Sequence, residues 1–152
     1  MHLFIWRHAE AEDDNAEGDL ARRLTPRGHV QAAQAAEWIR NVSKLRSLKP
    51  EIVCSPAVRT RETADALSKS HEVAPSIAPD TDPAAYLPLI ERAGDALVIV
   101  GHQPTVGRVI AQLLTGNPGY VSVRKGSVWW FQLRHEARSE SPVVLRGMFA
   151  PD

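Results

Sequence analysis

The chain has 152 residues, with 18 basic and 18 acidic side chains and a formal net charge of +0, so no global field would draw nucleic acid or an anionic membrane to it. Its 43% hydrophobic and 24% charged composition excludes a disordered or fibrous chain and fits one globular domain over residues 1–152. A single cysteine, Cys54, excludes an internal disulfide, and no signal-like leader or membrane-length apolar run is present, so a cytoplasmic location is expected.

In chain order, HLFIW (2–6) is a buried-strand candidate, and it runs directly into Arg7-His8. A polar loop follows, in which Glu10 to Asp19 holds six acidic residues and no basic one. Thr25-Pro26 has the form of an N-cap followed by proline at the first helical position. Behind it Ala32, Ala35, Ala36 and Ile39 recur at helical spacing on one face. EIVC (51–54) is a short buried strand. Ser55-Pro56 repeats the cap-then-proline signal and predicts a helix over AVRTRETADALSKS (57–70). Pro75, Pro79 and Pro83 punctuate a loop, and Pro88 keeps any helix near YLPLIERAG short or kinked. ALVIV (96–100) is the clearest buried strand and leads into Gly101-His102-Gln103-Pro104. Val106, Val109, Ile110 and Leu113 mark a further amphipathic helix, stopped by Gly116. SVWWFQLR and PVVLRGMF close the chain as two strands, expected to be antiparallel neighbours, with Trp129 and Trp130 on opposite faces. Alternating strands and helices predict an α/β fold with a mainly parallel sheet covered by helices on both faces.

Ligands of open α/β sheets bind beyond the carboxyl ends of the strands. Three predicted strands end in Arg7-His8, in Ser55 through Arg59, and in Gly101-His102. Parallel strands would therefore gather two histidines and two arginines at one sheet edge. Two guanidinium forks can hold the oxygens of a phosphoryl group. One neutral imidazole can attack phosphorus while a second donates to the charge that develops. Taken singly, each residue has a plainer reading: a histidine satisfied at a strand end, or an arginine on a solvated helix face. Arg59 argues against the plainer reading, because it falls in the first turn of the second helix, where the dipole disfavours a cation. A bound anion would relieve that conflict.

These residues resemble the histidine phosphatase superfamily. The resemblance is carried by Arg7-His8-Ala9 after a strand, by Ser55-Pro56-Ala57-Val58-Arg59 and by Gly101-His102. Leu24-Thr25 with Gly28, and Arg61-Glu62-Thr63-Ala64, support it. The best-known family form has glycine where Ala9 stands here. The compact length and the RHAEAE opening look most like the SixA-type phosphohistidine phosphatases of bacteria. The resemblance implies a three-layer α/β/α, phosphoglycerate mutase-like fold and a phosphatase that works through a phosphohistidine intermediate. His8 would be the nucleophile, Arg7 and Arg59 would grip the phosphoryl oxygens, and His102 would donate a further hydrogen bond as the imidazolium. No metal or other cofactor is implied, and no metal-ligand spacing such as HExxH appears.

A general acid is harder to place. Asp80 and Asp82 are the candidates by chain order, with Glu10 and Glu12 behind them. The implied partner is a phosphorylated protein of the histidine phosphotransfer type. The alternatives are a small phosphomonoester substrate and a non-catalytic phosphate- or phosphoprotein-binding module. Cysteine-dependent phosphatases place five residues between nucleophile and arginine. Cys54 and Arg59 have four between them, so Cys54 is expected to be a small buried residue.

Overall fold

The computed structural model describes residues 1–134 and 142–152. Among them, six strands form one sheet: β1 (His2–Arg7), β2 (Glu51–Cys54), β3 (Glu72–Val73), β4 (Ala96–Gly101), β5 (Val128–Leu133) and β6 (Val143–Phe149). Their order is β3-β2-β4-β1-β5-β6. β3, β2, β4 and β1 pair in parallel, β5 runs antiparallel to β1, and β6 runs antiparallel to β5. The helices are α1 (Pro26–Leu45), α2 (Val58–Leu67), α3 (Leu87–Arg92) and α4 (Thr105–Thr115).

Both sheet faces are buried, which is why LFIW and ALVIV read as continuous apolar runs rather than alternating ones. Phe4, Trp6, Val98 and Val100 pack with Ala32, Ala35, Ala36 and Ile39 of α1 and Ala64 of α2. Leu3, Ile5, Leu97 and Ile99 pack on the opposite face with Leu89 of α3 and Val106, Val109 and Ile110 of α4. The three-layer α/β/α architecture expected from the sequence is therefore present. Trp130 belongs to the first core, beside Phe4 and Trp38, and Trp129 packs partly buried against the second. No helix among the described residues is long and apolar enough to cross a membrane.

The helix ends follow the capping signals with one correction. Thr25 Oγ1 accepts from Gly28 N–H at 3.0 Å, and Pro26 opens α1. Gly116 ends α4 in the left-handed region, φ 74°. Ser55, however, does not cap α2. The helix starts at Val58 behind Ala57, because the Ser55 hydroxyl accepts from Ala57 N–H at 3.2 Å and faces His102. Arg59 remains in the first turn, as expected.

Gly28 lies where α1 meets the loop after β1. A Cβ there would stand 2.0 Å from the carbonyl oxygen of Glu10, the same oxygen that accepts from Thr25 N–H at 3.0 Å. In an unobstructed helix, Gly→Ala stabilises by about 1 kcal/mol. Here the obstacle is backbone, which cannot rotate away, so overpacking should win. Gly28→Ala is expected to destabilise the protein by about 1–3 kcal/mol. The check is a lowered urea midpoint at unchanged m value; a raised midpoint would contradict it.

Candidate active site

The end of β1 is held from both sides. Arg7 N–H donates to Ser127 O (3.0 Å), His8 N–H donates to Gly101 O (3.1 Å), and His8 O accepts from Gly126 N–H (3.0 Å). The next residue ties this end to α2. Ala9 N–H donates to Thr63 Oγ1 at 3.1 Å, and the same hydroxyl donates to Arg59 O at 2.7 Å. Glu62 accepts from Leu24 N–H at 2.9 Å. The Arg61-Glu62-Thr63-Ala64 stretch thus anchors both the strand end and the entry to α1.

The four strand-end residues come together. The rings of His8 and His102 lie 5.3 Å apart between centroids, inclined at 56°, and the charges of Arg7 and Arg59 act on both imidazoles. His8 Nδ1 is 2.8 Å from Ala9 O. A carbonyl only accepts, so Nδ1 carries the proton and Nε2 presents its lone pair. His102 Nε2 lies 2.7 Å from Ser55 Oγ. Arg7 Nη1 donates to Val123 O at 2.7 Å. Arg59, 4% exposed, donates to the carbonyl of Asp19 at 2.9 Å and to its Oδ2 at 3.2 Å. Arg7 Nε, Arg59 Nε and His102 Nδ1 are buried with no hydrogen-bond partner among the described residues. Three unpaired buried nitrogens in one cluster fit an anion bearing several acceptor oxygens.

Electrostatics set the protonation state. Burial drives His8 down to about 3, and Arg59, Arg7 and Arg22 add to the effect against the Ala9 hydrogen bond. His102 is likewise pushed down to about 3, by burial first, then His8 and Arg59, with Asp19 opposing. Both rings are neutral at pH 7. For His8 that is the nucleophilic form. For His102 it is the state of the site before an anion binds: burial and neighbouring cations outweigh one exposed carboxylate.

The acid candidates lie apart from this cluster in their bonding. Glu10 Oε1 accepts from Thr25 Oγ1 at 2.9 Å, and its other oxygen lies 3.8 Å from Arg27. Glu12 binds Asn15 and Arg23 N–H. Asp82 accepts from Ala84 N–H at 2.8 Å, capping a short 3₁₀ turn over Pro83–Tyr86. Asp80 is exposed with φ 65°. Two site residues escaped the sequence reading, Asp19 and Arg22. Asp19 bridges two cations, accepting from Arg22 at 2.9 Å through Oδ1 and from Arg59 through Oδ2. Its position at the end of the acidic loop, three residues before Arg22, was the available signal.

A family model described as histidine phosphatase superfamily (branch 1) matches residues 3–83. The chain belongs to the histidine phosphatase superfamily. Phosphohistidine phosphatase SixA of Escherichia coli is 34% identical over 129 residues, covering 76% of this chain and 76% of that protein. A SixA homolog of Haemophilus influenzae is 31% identical, covering 74% of this chain and 77% of its own length. The solved structure of the protein histidine phosphatase SixA complexed with tungstate superposes with a TM-score of 0.76 at 25% identity, over 99% of this chain and 97% of that one. As a histidine phosphatase, the chain is a hydrolase of phosphoryl groups. Cys54 stands outside the histidine–arginine cluster: it is buried, its Sγ is 3.6 Å from His71 Nδ1, and burial pushes its thiol up to about 11.

Two predictions follow from this geometry. Cys54→Ser should leave turnover within a few-fold of the parent, since a thiol raised that far is no nucleophile; loss of activity in a folded variant would reassign the chemistry. The second concerns acid. Above about pH 6.5 the two buried imidazoles are neutral in the folded and the unfolded chain alike. Below it the unfolded chain takes up protons that the folded site refuses, so their contribution to stability is lost progressively from about 6.5 down to about 3. The urea midpoint should therefore fall between about pH 7 and about pH 5, and His102→Asn should fall less. Equal losses in the two proteins would refute this.

Proposed function

We propose that the protein dephosphorylates phosphohistidine on a partner protein, with His8 as nucleophile. The observation that carries the reading is a neutral His8 whose free Nε2 shares a cluster with Arg7, Arg59 and His102. In the first step the Nε2 lone pair forms a bond to phosphorus, and the bond from phosphorus to the leaving nitrogen breaks. Arg7 and Arg59 neutralise the equatorial oxygens, and His102 donates to one of them. In the second step water attacks the phosphohistidine, releasing inorganic phosphate and restoring His8.

The substrate class is supported by the acids around the site. Asp19 is held below the ordinary carboxylate range, first by its hydrogen bond from Arg22 and further by Arg59, so it is ionised and donates no proton at pH 7. Glu10 and Asp82 are engaged in the helix and turn ends described above. A leaving imidazole, with an ordinary pKa of about 6.5, needs far less protonation than an alkoxide. The similarity to phosphohistidine phosphatase SixA points the same way.

Turnover should be compared on a phosphohistidine protein, a phosphoserine peptide and a small phosphomonoester, with the highest kcat/KM expected on the first. A higher value on either other substrate would replace phosphohistidine as the substrate class. Quenching during turnover should trap phosphate on the protein, stable in alkali and labile in acid, as a P–N bond requires. His8→Ala should abolish both label and turnover. His102→Ala should slow turnover about 10²–10³-fold while some labelling persists. An acid-stable label, or near-normal hydrolysis by His8→Ala, would overturn the mechanism.

A further inference from the structure

The Ser55 hydroxyl is fully buried and is left free by the helix it was expected to cap. Its backbone is fixed on both sides: N–H donates to Val100 O at 3.2 Å, and the carbonyl accepts from Thr60 Oγ1 at 2.9 Å. The side chain has two neighbours. Ala57 N–H donates to Oγ at 3.2 Å, and His102 Nε2 stands 2.7 Å away. The other ring nitrogen of His102, Nδ1, is buried without a partner among the described residues.

Two arrangements of protons are possible. If Nε2 carried the proton, it and Ala57 N–H would both donate to Oγ. The Ser55 proton would then have no acceptor, and the buried Nδ1 lone pair would have no donor among the described residues. If Ser55 donates to Nε2, the hydroxyl is satisfied both as acceptor and as donor, and only Nδ1–H is left over. The second arrangement leaves one fewer buried polar group unpaired, so it prevails. It also turns the leftover group into a donor, which an oxygen of a bound phosphoryl group can accept.

We propose that Ser55 is a positioning residue that holds His102 in its Nδ1–H tautomer, so that a neutral imidazole meets the phosphoryl group as a hydrogen-bond donor. The proposal rests on the phosphatase reading of the His8 site for its consequence, though not for its geometry. Without Ser55, a neutral His102 is free to take the Nε2–H form, which turns a lone pair toward an anionic transition state.

Long-range proton–nitrogen correlation spectra of the full chain read the tautomer directly. In the parent protein, His102 is expected to show a protonated Nδ1 and a bare Nε2. His8, fixed by Ala9 O, serves as the internal reference. In Ser55→Ala the His102 signals should move toward the Nε2–H form while those of His8 stay in place. On the preferred substrate, kcat should fall on the order of 10–100-fold, the scale of losing the partner that orients a metal-bound histidine, with KM changed less. Ser55→Thr, which keeps the hydroxyl, should recover most of the tautomer and the rate. A parent spectrum with bare Nδ1 overturns the proposal without recourse to any variant, as does a folded Ser55→Ala with an unchanged tautomer. A parent protein with the expected tautomer but no turnover on any phosphoryl substrate would instead refute the phosphatase reading and leave the Ser55 contact standing.

Discussion

Everything in the site depends on how the end of β1 is held. His8 exchanges backbone hydrogen bonds with Gly101 at the end of β4 and with Gly126 just before β5. The strand behind it is anchored by Leu3, Phe4, Ile5 and Trp6, all fully buried. The His8 imidazole, the proposed nucleophile, is thereby mounted at the end of a fully packed strand, where packing locks the backbone and no loop motion is needed to aim it. The neighbouring position in β4 serves the same end. A Cβ at Gly101 would stand 2.0 Å from the Tyr86 hydroxyl, so His102 leaves the sheet from a residue that admits no side chain in this packing.

The second constraint is electrostatic. Arg7 and Arg59 stand beside two imidazoles in a buried cluster, and the cost of desolvation, with charge repulsion added to it, keeps both rings neutral. Full positive charge would make the cluster harder to bury. Asp19 moderates it by accepting from Arg22 and Arg59 together. The acidic loop after β1 therefore contributes more than solubility, since its last carboxylate sits on the cations that face the site.

Much of this was legible in the sequence, and the reasons are physical. Apolar runs of strand length bounded by turn residues identified β1, β2 and β4, and the residues just beyond them marked the cluster now proposed as the site, because parallel strands deliver their carboxyl ends to one edge. Thr25-Pro26 located the start of α1 because the cap is local chemistry. Ser55-Pro56 misled by the same rule: the hydroxyl found a tertiary partner, His102, that no local pattern encodes. The roles of Asp19 and Arg22 were hidden for a related reason: Arg22 reaches Arg59 only through Asp19, and the pairing of Asp19 with Arg59 spans forty positions of chain and depends on how the loop folds back. The protonation of His102 depended on the sum of burial and several charges, which residue identity alone does not supply.

Strand order has one further consequence. β1 lies inside the sheet, with β4 on one side and β5 on the other, so its backbone amides are released only when the sheet itself parts. The segment around Asp80 and Asp82, by contrast, is held by turn contacts and by the Thr105 hydroxyl on Thr81 O. Local openings draw on the weakly held parts of a fold and spare its centre. The 80–82 segment is accordingly able to open by itself, while the His8 imidazole keeps its place until the sheet comes apart.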